Sequence, residues 1–224
     1  MLTIKRETAI YAMSPENAPV AHAANGDQIV FETTDCFGGQ ITKETDRMGG
    51  LDWSRINPAT GPVFVEGAEP GDTLKVEILK IALAEQAVIL EAPGEGITGL
   101  AAKEESTKIL KVAEGKVVFN SALSLPICSM IGVIGTAPEK EAVATGTPEA
   151  HGGNMDCKKI GEGAVLYLPV NVPGALLALG DLHAVMGDGE VCVCGAEISG
   201  EVTVRVTVVK GRPLPLPFLV TQEH

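Results

Sequence analysis

Glycine and proline punctuate this chain so closely that it reads as many short strands joined by tight turns. There are 26 glycines and 14 prolines among 224 residues, roughly a fifth of the chain against a usual share of about 12%. Between the turns the apolar residues alternate. Val202, Val204, Val206 and Val208 are interleaved with Thr203, Arg205 and Thr207, the clearest half-buried strand in the sequence. A second alternating strand is expected over 73–82 after the turn Glu69-Pro70-Gly71-Asp72, with Leu74, Val76, Ile78 and Lys80 on one face.

Other strands follow from the same signals. The turn Asn25-Gly26-Asp27 leads into a strand at 29–33, and 88–90 reads as a separate short one. Ala113-Glu114-Gly115 joins 109–112 to 116–119 as a hairpin. The apolar run 125–134, broken by Pro126 and Gly132, is expected to be a bent edge strand or an irregular core segment. Two short apolar runs, 164–168 and 175–179, flank Pro169 to Gly174. A surface loop is expected at 138–148, and Pro213, Pro215 and Pro217 are expected to end regular structure. The length suits one domain over residues 1–224, and no internal repeat is visible.

Several function classes are excluded at this level. No apolar run of 18 residues is present to span a bilayer, so no membrane partner is expected. The N-terminus lacks the apolar segment of a signal peptide, so a cytoplasmic location is expected. The formal net charge of −12, with scattered lysines and arginines, argues against nucleic acid. Five cysteines, an odd number, fit reduced thiols better than a disulfide framework.

The segment from His151 to Glu197 concentrates the candidate chemistry. In an extended Asp181-Leu182-His183, the Asp181 and His183 side chains project to one side and could share a proton or a metal. Two environments are open for Glu197. A strand through 191–197 would set it beside Val191 and Val193 and raise its pKa, whereas a strand ending by Gly195 would leave it solvated. Asp35 stands at a strand end, where capping a turn and serving a site are equally open readings. Asp52 and Trp53 could line a pocket, but a surface turn with one anchoring aromatic is the favoured reading.

The segments PENAPVAHAANGDQIVFETTDCFGGQI, INPATGPVFVEGAEPGDTLKVEIL, CSMIGVIGTAPE, HGGNMD and LYLPVNVPGALLALGDLHAVMGDGEVCVCGAEISGEVTV cover most of residues 10–210. Together they resemble the metal-associated acetamidase/formamidase family in its shorter prokaryotic form. The resemblance implies a mainly β fold, a two-sheet, jelly-roll-like β-sandwich with Gly/Pro-rich loops. It also implies a homodimer and hydrolysis of small linear amides such as formamide and acetamide. Typical members continue for some tens of residues past 217–224, so a C-terminal part of the family pattern is expected to be missing. No Gly-Gly-Ser-Ser run is present, which sets the chain apart from the serine-dependent amidases.

With no serine or cysteine in a recognisable nucleophile motif, activated water is the economical nucleophile. A divalent metal, zinc first and calcium as the alternative, would supply it. Asp181 and His183 are the expected ligands, joined by Asp35 or Glu197. Asp156 would act as base or further ligand, and Asn154 would donate to the substrate oxygen or hold its amide. His22 and His151 are weaker candidates. The competing expectation is a non-catalytic β-domain that binds a metal or small ligand, or an inactive short member of the family.

Overall fold

A computed structural model of the chain describes residues 1–221. Among them the only helical elements are five 3-10 turns of three residues, and 17 strands make up the rest of the regular structure. The expected mainly β, two-sheet class holds, but the sheets are unequal. One has 15 strands, and the other only Ala12–Met13 and Val143–Ala144.

The large sheet is organised around its two longest strands, Thr73–Glu91 and Glu197–Val209, which pair antiparallel from Thr73 opposite Val209 to Val88 opposite Glu197. Each changes its outer partner part-way along. Thr73 to Glu77 pair with Val165–Pro169, whereas Gln86 to Glu91 pair with Ser106–Ala113. On the other long strand, Gly200 to Arg205 pair with Gln28–Thr33, whereas Glu197 and Ile198 pair with Leu182 and His183. The shared strands hydrogen-bond two arms into one sheet, and the arms close over one large apolar cluster that includes Phe31, Val76, Leu110, Leu166, Leu177 and Val204.

The alternating valines behave as their period requires. Val202, Val204, Val206 and Val208 are buried, and the residues between them are half-buried. The partner strand departs from expectation. Lys80 is exposed, because Thr203 faces Lys80 while Val204 faces Ile78. This β-bulge leaves Leu79 as the extra residue and passes the core face to Ile81. The stretch 88–90 is not a separate strand but the far end of Thr73–Glu91.

Three further expectations are corrected. Within 125–134, Met130–Gly135 is neither edge nor irregular. Every residue in it is buried, and it lies between Leu177–His183 and Gly152–Asn154. A strand covered on both faces carries no alternation, so its sequence shows only an apolar run. Residues 191–196 form no strand, and Val191 and Val193 are exposed. After the three prolines the chain returns to the sheet as Phe218–Val220, paired with Val165 to Tyr167.

The turn before Thr73 shows how the long pair is anchored. Asp72 Oδ2 accepts hydrogen bonds from Glu69 N at 2.9 Å and Lys210 Nζ at 2.6 Å, and Oδ1 accepts from Gly211 N at 2.9 Å. One buried carboxylate thus clamps the start of one long strand to the chain just past the end of the other. The Lys210 hydrogen bond holds its pKa below the ordinary carboxylate value, outweighing the opposing effect of burial.

Two predictions follow from this framework. Phe31→Ala, at a fully buried position, is expected to cost about 3–5 kcal/mol, and Thr203→Ala under about 1 kcal/mol, measured as denaturant midpoints. Asp72→Asn is expected to cost about 1–3 kcal/mol near neutral pH, from the hydrogen bonds lost. A depressed folded pKa stabilises above the unfolded value, about 3.9, and that contribution fades as pH falls through the lower folded value. The gap between wild type and Asp72→Asn should therefore shrink in acid; a gap constant down to about pH 2 would refute the assignment.

Candidate active site

Asp181 and His183 end the buried strand Leu177–His183 at the place where it meets Glu197. They do converge, with His183 Nε2 3.3 Å from Asp181 Oδ1. The route is not simple extension, since Asp181 has φ +56°. Across the ladder, Ile131 faces Leu182 and Val133 faces Gly180, which leaves Gly132 opposite Asp181. A Cβ on Gly132 would lie 2.6 Å from Asp181 Oδ2 and 2.7 Å from Asp156 Oδ1. Glycine is needed there because two carboxylates occupy the space a side chain would fill.

Asp156 follows Gly152–Asn154, the neighbouring strand, and its Oδ1 lies 3.8 Å from His183 Nε2. Glu197, the first residue of its strand, sets Oε2 3.2 Å from the same nitrogen, while its Oε1 accepts from Gly195 N at 2.7 Å. Glu190 reaches the other side of the ring. Its Oε1 is 3.8 Å from His183 Nδ1 and also accepts from Gly195 N at 2.8 Å. Met186 Sδ stands 3.2 Å from Nδ1. The ring packs closely on Gly195, where an added Cβ would come within 2.6 Å of Nδ1.

Four carboxylates therefore surround one imidazole in a space largely closed to water. Burial alone would lower the pKa of His183, but the charge of Glu197 and the contacts with Asp181 and Glu197 push it up to about 12. Burial raises Glu197 to about 7, with Asp181 adding to the rise and His183 opposing it. Glu190 rises to about 8, first by burial and then through the charges of Glu197 and Asp156. Asp156 is also raised, by burial and by Asp181. One N–H cannot point at every oxygen around it. Asp156 Oδ1, Asp181 Oδ1, Glu197 Oε2 and Asn154 Oδ1 are buried without a hydrogen-bond partner, a condition that costs about 1–3 kcal/mol per group and more where charged.

Unpartnered buried oxygens around an imidazole are the donor set a divalent cation satisfies. Two sets of three have ligand atoms within 4.8 Å of one another: Asp156, His183 and Glu190, and Cys36, Asp181 and Glu197. All of these residues except Asp156 line a cavity of ≈ 230 Å³, whose apolar wall is built by Phe37, Met48, Trp53, Ile56 and Leu90. Trp53 lies on a 3-10 turn capped by Asp52, whose Oδ1 accepts from Ser54 N at 3.1 Å. The pair does form a surface turn, but Trp53 is exposed rather than an anchor, and it lines the cavity as the other reading had it.

Of the residues expected from sequence, Asp181, His183, Glu197, Asp156 and Asn154 come together. Asp35 does not join either ligand set. Its Oδ1 accepts from Phe37 N at 3.0 Å and Gly39 N at 3.1 Å, and its own N–H donates to Ser199 Oγ. It caps the turn that carries Cys36 and Phe37 into the cavity wall. Glu197 is buried as one of its two readings required, through pairing with His183 and Val88 rather than through Val191 and Val193. His22 is exposed, 2.7 Å from Glu66 and stacked on Phe64. His151 is buried, and burial holds its pKa below the ordinary value; neither histidine lines the cavity. Sequence reading missed Glu190, Cys36 and Gly132. Glu190 sits in a glycine-rich turn where an acid is ordinary, and only Gly132, interrupting an apolar run, left a signal.

The chain matches the Acetamidase/Formamidase family over residues 7–145 and 96–217. A putative formamidase of Schizosaccharomyces pombe is 30% identical across 83% of this chain and 60% of its own length. A formamidase of Methylophilus methylotrophus is 27% identical, across 88% and 63%. The crystal structure of an acetamidase from Bacillus halodurans superposes with a TM-score of 0.96 at 50% identity, covering 98% of this chain and 75% of that one. A predicted acetamidase/formamidase from Thermoanaerobacter tengcongensis also gives 0.96, at 48% identity, covering 99% and 73%. The chain spans less than two thirds of the length of the curated relatives it matches.

The electrostatics can be checked in metal-free protein. The His183 imidazole should stay protonated between about pH 6 and 9, where an ordinary histidine titrates near 6.5, its NMR shifts moving only as its acidic neighbours titrate. Glu197→Gln should bring its pKa down. A wild-type midpoint near the ordinary value would contradict the charge cluster.

Proposed function

The chain belongs to the acetamidase/formamidase family, and on that premise we propose that it hydrolyses small linear amides, formamide and acetamide among them, to ammonia and a carboxylate. Asp181, His183 and Glu197 would hold a divalent cation, with zinc preferred and calcium the alternative. The observation that carries this reading is the convergence of three unpartnered buried carboxylate oxygens, from Asp156, Asp181 and Glu197, on His183.

Amide hydrolysis needs an activated nucleophile, stabilisation of the oxygen that becomes negative, and a proton for the departing amine. The cavity thiols make poor nucleophiles, because burial pushes Cys36 and Cys194 well above the ordinary thiol pKa. Water is the better candidate. A divalent cation bound there supplies Lewis acidity, lowering the pKa of water and polarising a carbonyl.

The other residues then take defined roles. Asp156 Oδ1, in contact with His183 and otherwise unpartnered, takes a proton from the attacking water and returns it to the amine. Its pKa, raised by burial and by Asp181, brings it closer to neutrality and suits a group that must both accept and release a proton. Asn154 Oδ1 is a buried acceptor without a donor, and it accepts from the substrate NH₂ and so orients the amide. The apolar wall excludes water behind the substrate.

Ammonia release from formamide and acetamide tests the reading. Activity should be lost on chelation and restored by added metal, and Asp181→Asn and His183→Ala should each lower kcat/KM roughly 100-fold or more. Full activity after chelation would sink the metal assignment. Absence of ammonia from wild-type protein loaded with metal would sink the activity.

A further inference from the structure

The turn that Asp35 caps delivers a side chain with no assigned part in the site. Cys36 lies between two hydrogen bonds accepted by Asp35 Oδ1 and a third from Asn57 N to its own carbonyl at 2.7 Å. Its position is therefore fixed by backbone contacts rather than by packing alone. One side of the thiol rests on the apolar cluster of Phe37, Leu51 and Leu90. The other faces carboxylates, with Sγ and oxygens of Asp181 and Glu197 all within 4.8 Å of one another.

Two observations separate this thiol from an ordinary buried cysteine, which behaves as a small hydrophobe. First, Asp181 Oδ1 and Glu197 Oε2 lie on residues only 2% exposed and have no hydrogen-bond partner. Second, Cys194 nearby is committed elsewhere, its sulfur 3.3 Å from Leu90 N and 3.2 Å from Gly195 O, whereas no such side-chain hydrogen bond holds Cys36 among the described residues. A sulfur beside two buried, unpartnered carboxylates is a poor arrangement unless a cation joins them.

We propose that Cys36 is a ligand of the cation, together with Asp181 and Glu197, and that its sulfur makes the centre select thiophilic cations such as zinc, cobalt(II) and cadmium over calcium and magnesium. This rests on the reading of the centre as a cation site. Bonds of about 2.3 Å to sulfur and 2.0–2.2 Å to oxygen would set tetrahedral ligand atoms about 3.5 Å apart, so atoms that lie within 4.8 Å of one another would draw together on binding. As the sulfur–metal bond forms, the thiol proton leaves to solvent, so an otherwise inert buried thiol is ionised by the cation itself. Carboxylate oxygens alone would suit a hard cation; one thiolate changes the preference.

The test uses the whole chain, stripped with chelator and titrated with cobalt(II). A sulfur-to-cobalt charge-transfer band is expected in the near ultraviolet, absent in Cys36→Ser and retained in Cys194→Ser. Circular dichroism would confirm that both variants are folded. Zinc affinity should fall about 10-fold to 100-fold or more in Cys36→Ser, while the weak calcium affinity changes little. Cobalt bound without the band, or a band that survives Cys36→Ser in folded protein, overturns the assignment of sulfur. Calcium bound in preference to zinc and cobalt overturns this inference alone; failure to bind any of these cations overturns the cation centre as well.

Discussion

Four carboxylates and one imidazole share a buried space, and several of the carboxylate oxygens have no hydrogen-bond partner there. His183 can direct one N–H at a time, yet oxygens of Asp156, Asp181 and Glu197 stand within 3.8 Å of its Nε2. The cluster exists because the surrounding sheet leaves its members nowhere else to go. Glu197 is tied to its place by pairing with both His183 and Val88, and Asp181 by a strand buried along its full length. An uncompensated buried charge is costly. The unmet hydrogen-bonding demand is thus a property of the framework.

The framework tolerates this because its stability is gathered elsewhere. The two long strands pair along nearly their whole length, and both arms of the sheet contribute to one apolar cluster. Strain collects at the other end. Asp156, Asp181 and Glu190 all have positive φ, a conformation that side-chain-bearing residues seldom adopt and that persists where surrounding contacts over-determine it. The close approaches at Gly132 and Gly195 belong to the same economy of space, letting carboxylates and a ring lie directly on backbone.

Much of the fold was legible because its signals are local. The alternation at Val202 to Val208, the clamp turn at Glu69 to Asp72 and the hairpin over Ala113-Glu114-Gly115 all appear where the period and the turn residues put them. Errors arose where a feature depended on what lay alongside. Met130–Gly135 has no period because both its faces are covered, and Lys80 lost its expected face to a bulge set by the partner strand. Asp35 had two readings that sequence weighed equally, and the hydrogen bonds from Phe37 and Gly39 show the turn cap, which no local pattern singled out.

The sequence by itself determined the mainly β class, the placement of most strands and the family resemblance, and it singled out Asp181 and His183 as neighbours, though not the left-handed turn at Asp181 that brings them together. Each of these is written in short-range patterns or in ordered segments of the chain. Only tertiary structure decided which distant acids complete the cluster, because Glu190, Asp156 and Glu197 meet His183 through strand pairing and loop closure that leave no periodic trace. It also decided what Cys36 faces. That residue is 145 positions from Asp181 in sequence, and only the change of partner along Glu197–Val209 brings the 28–33 strand and the loop beyond it to the edge of the same cavity.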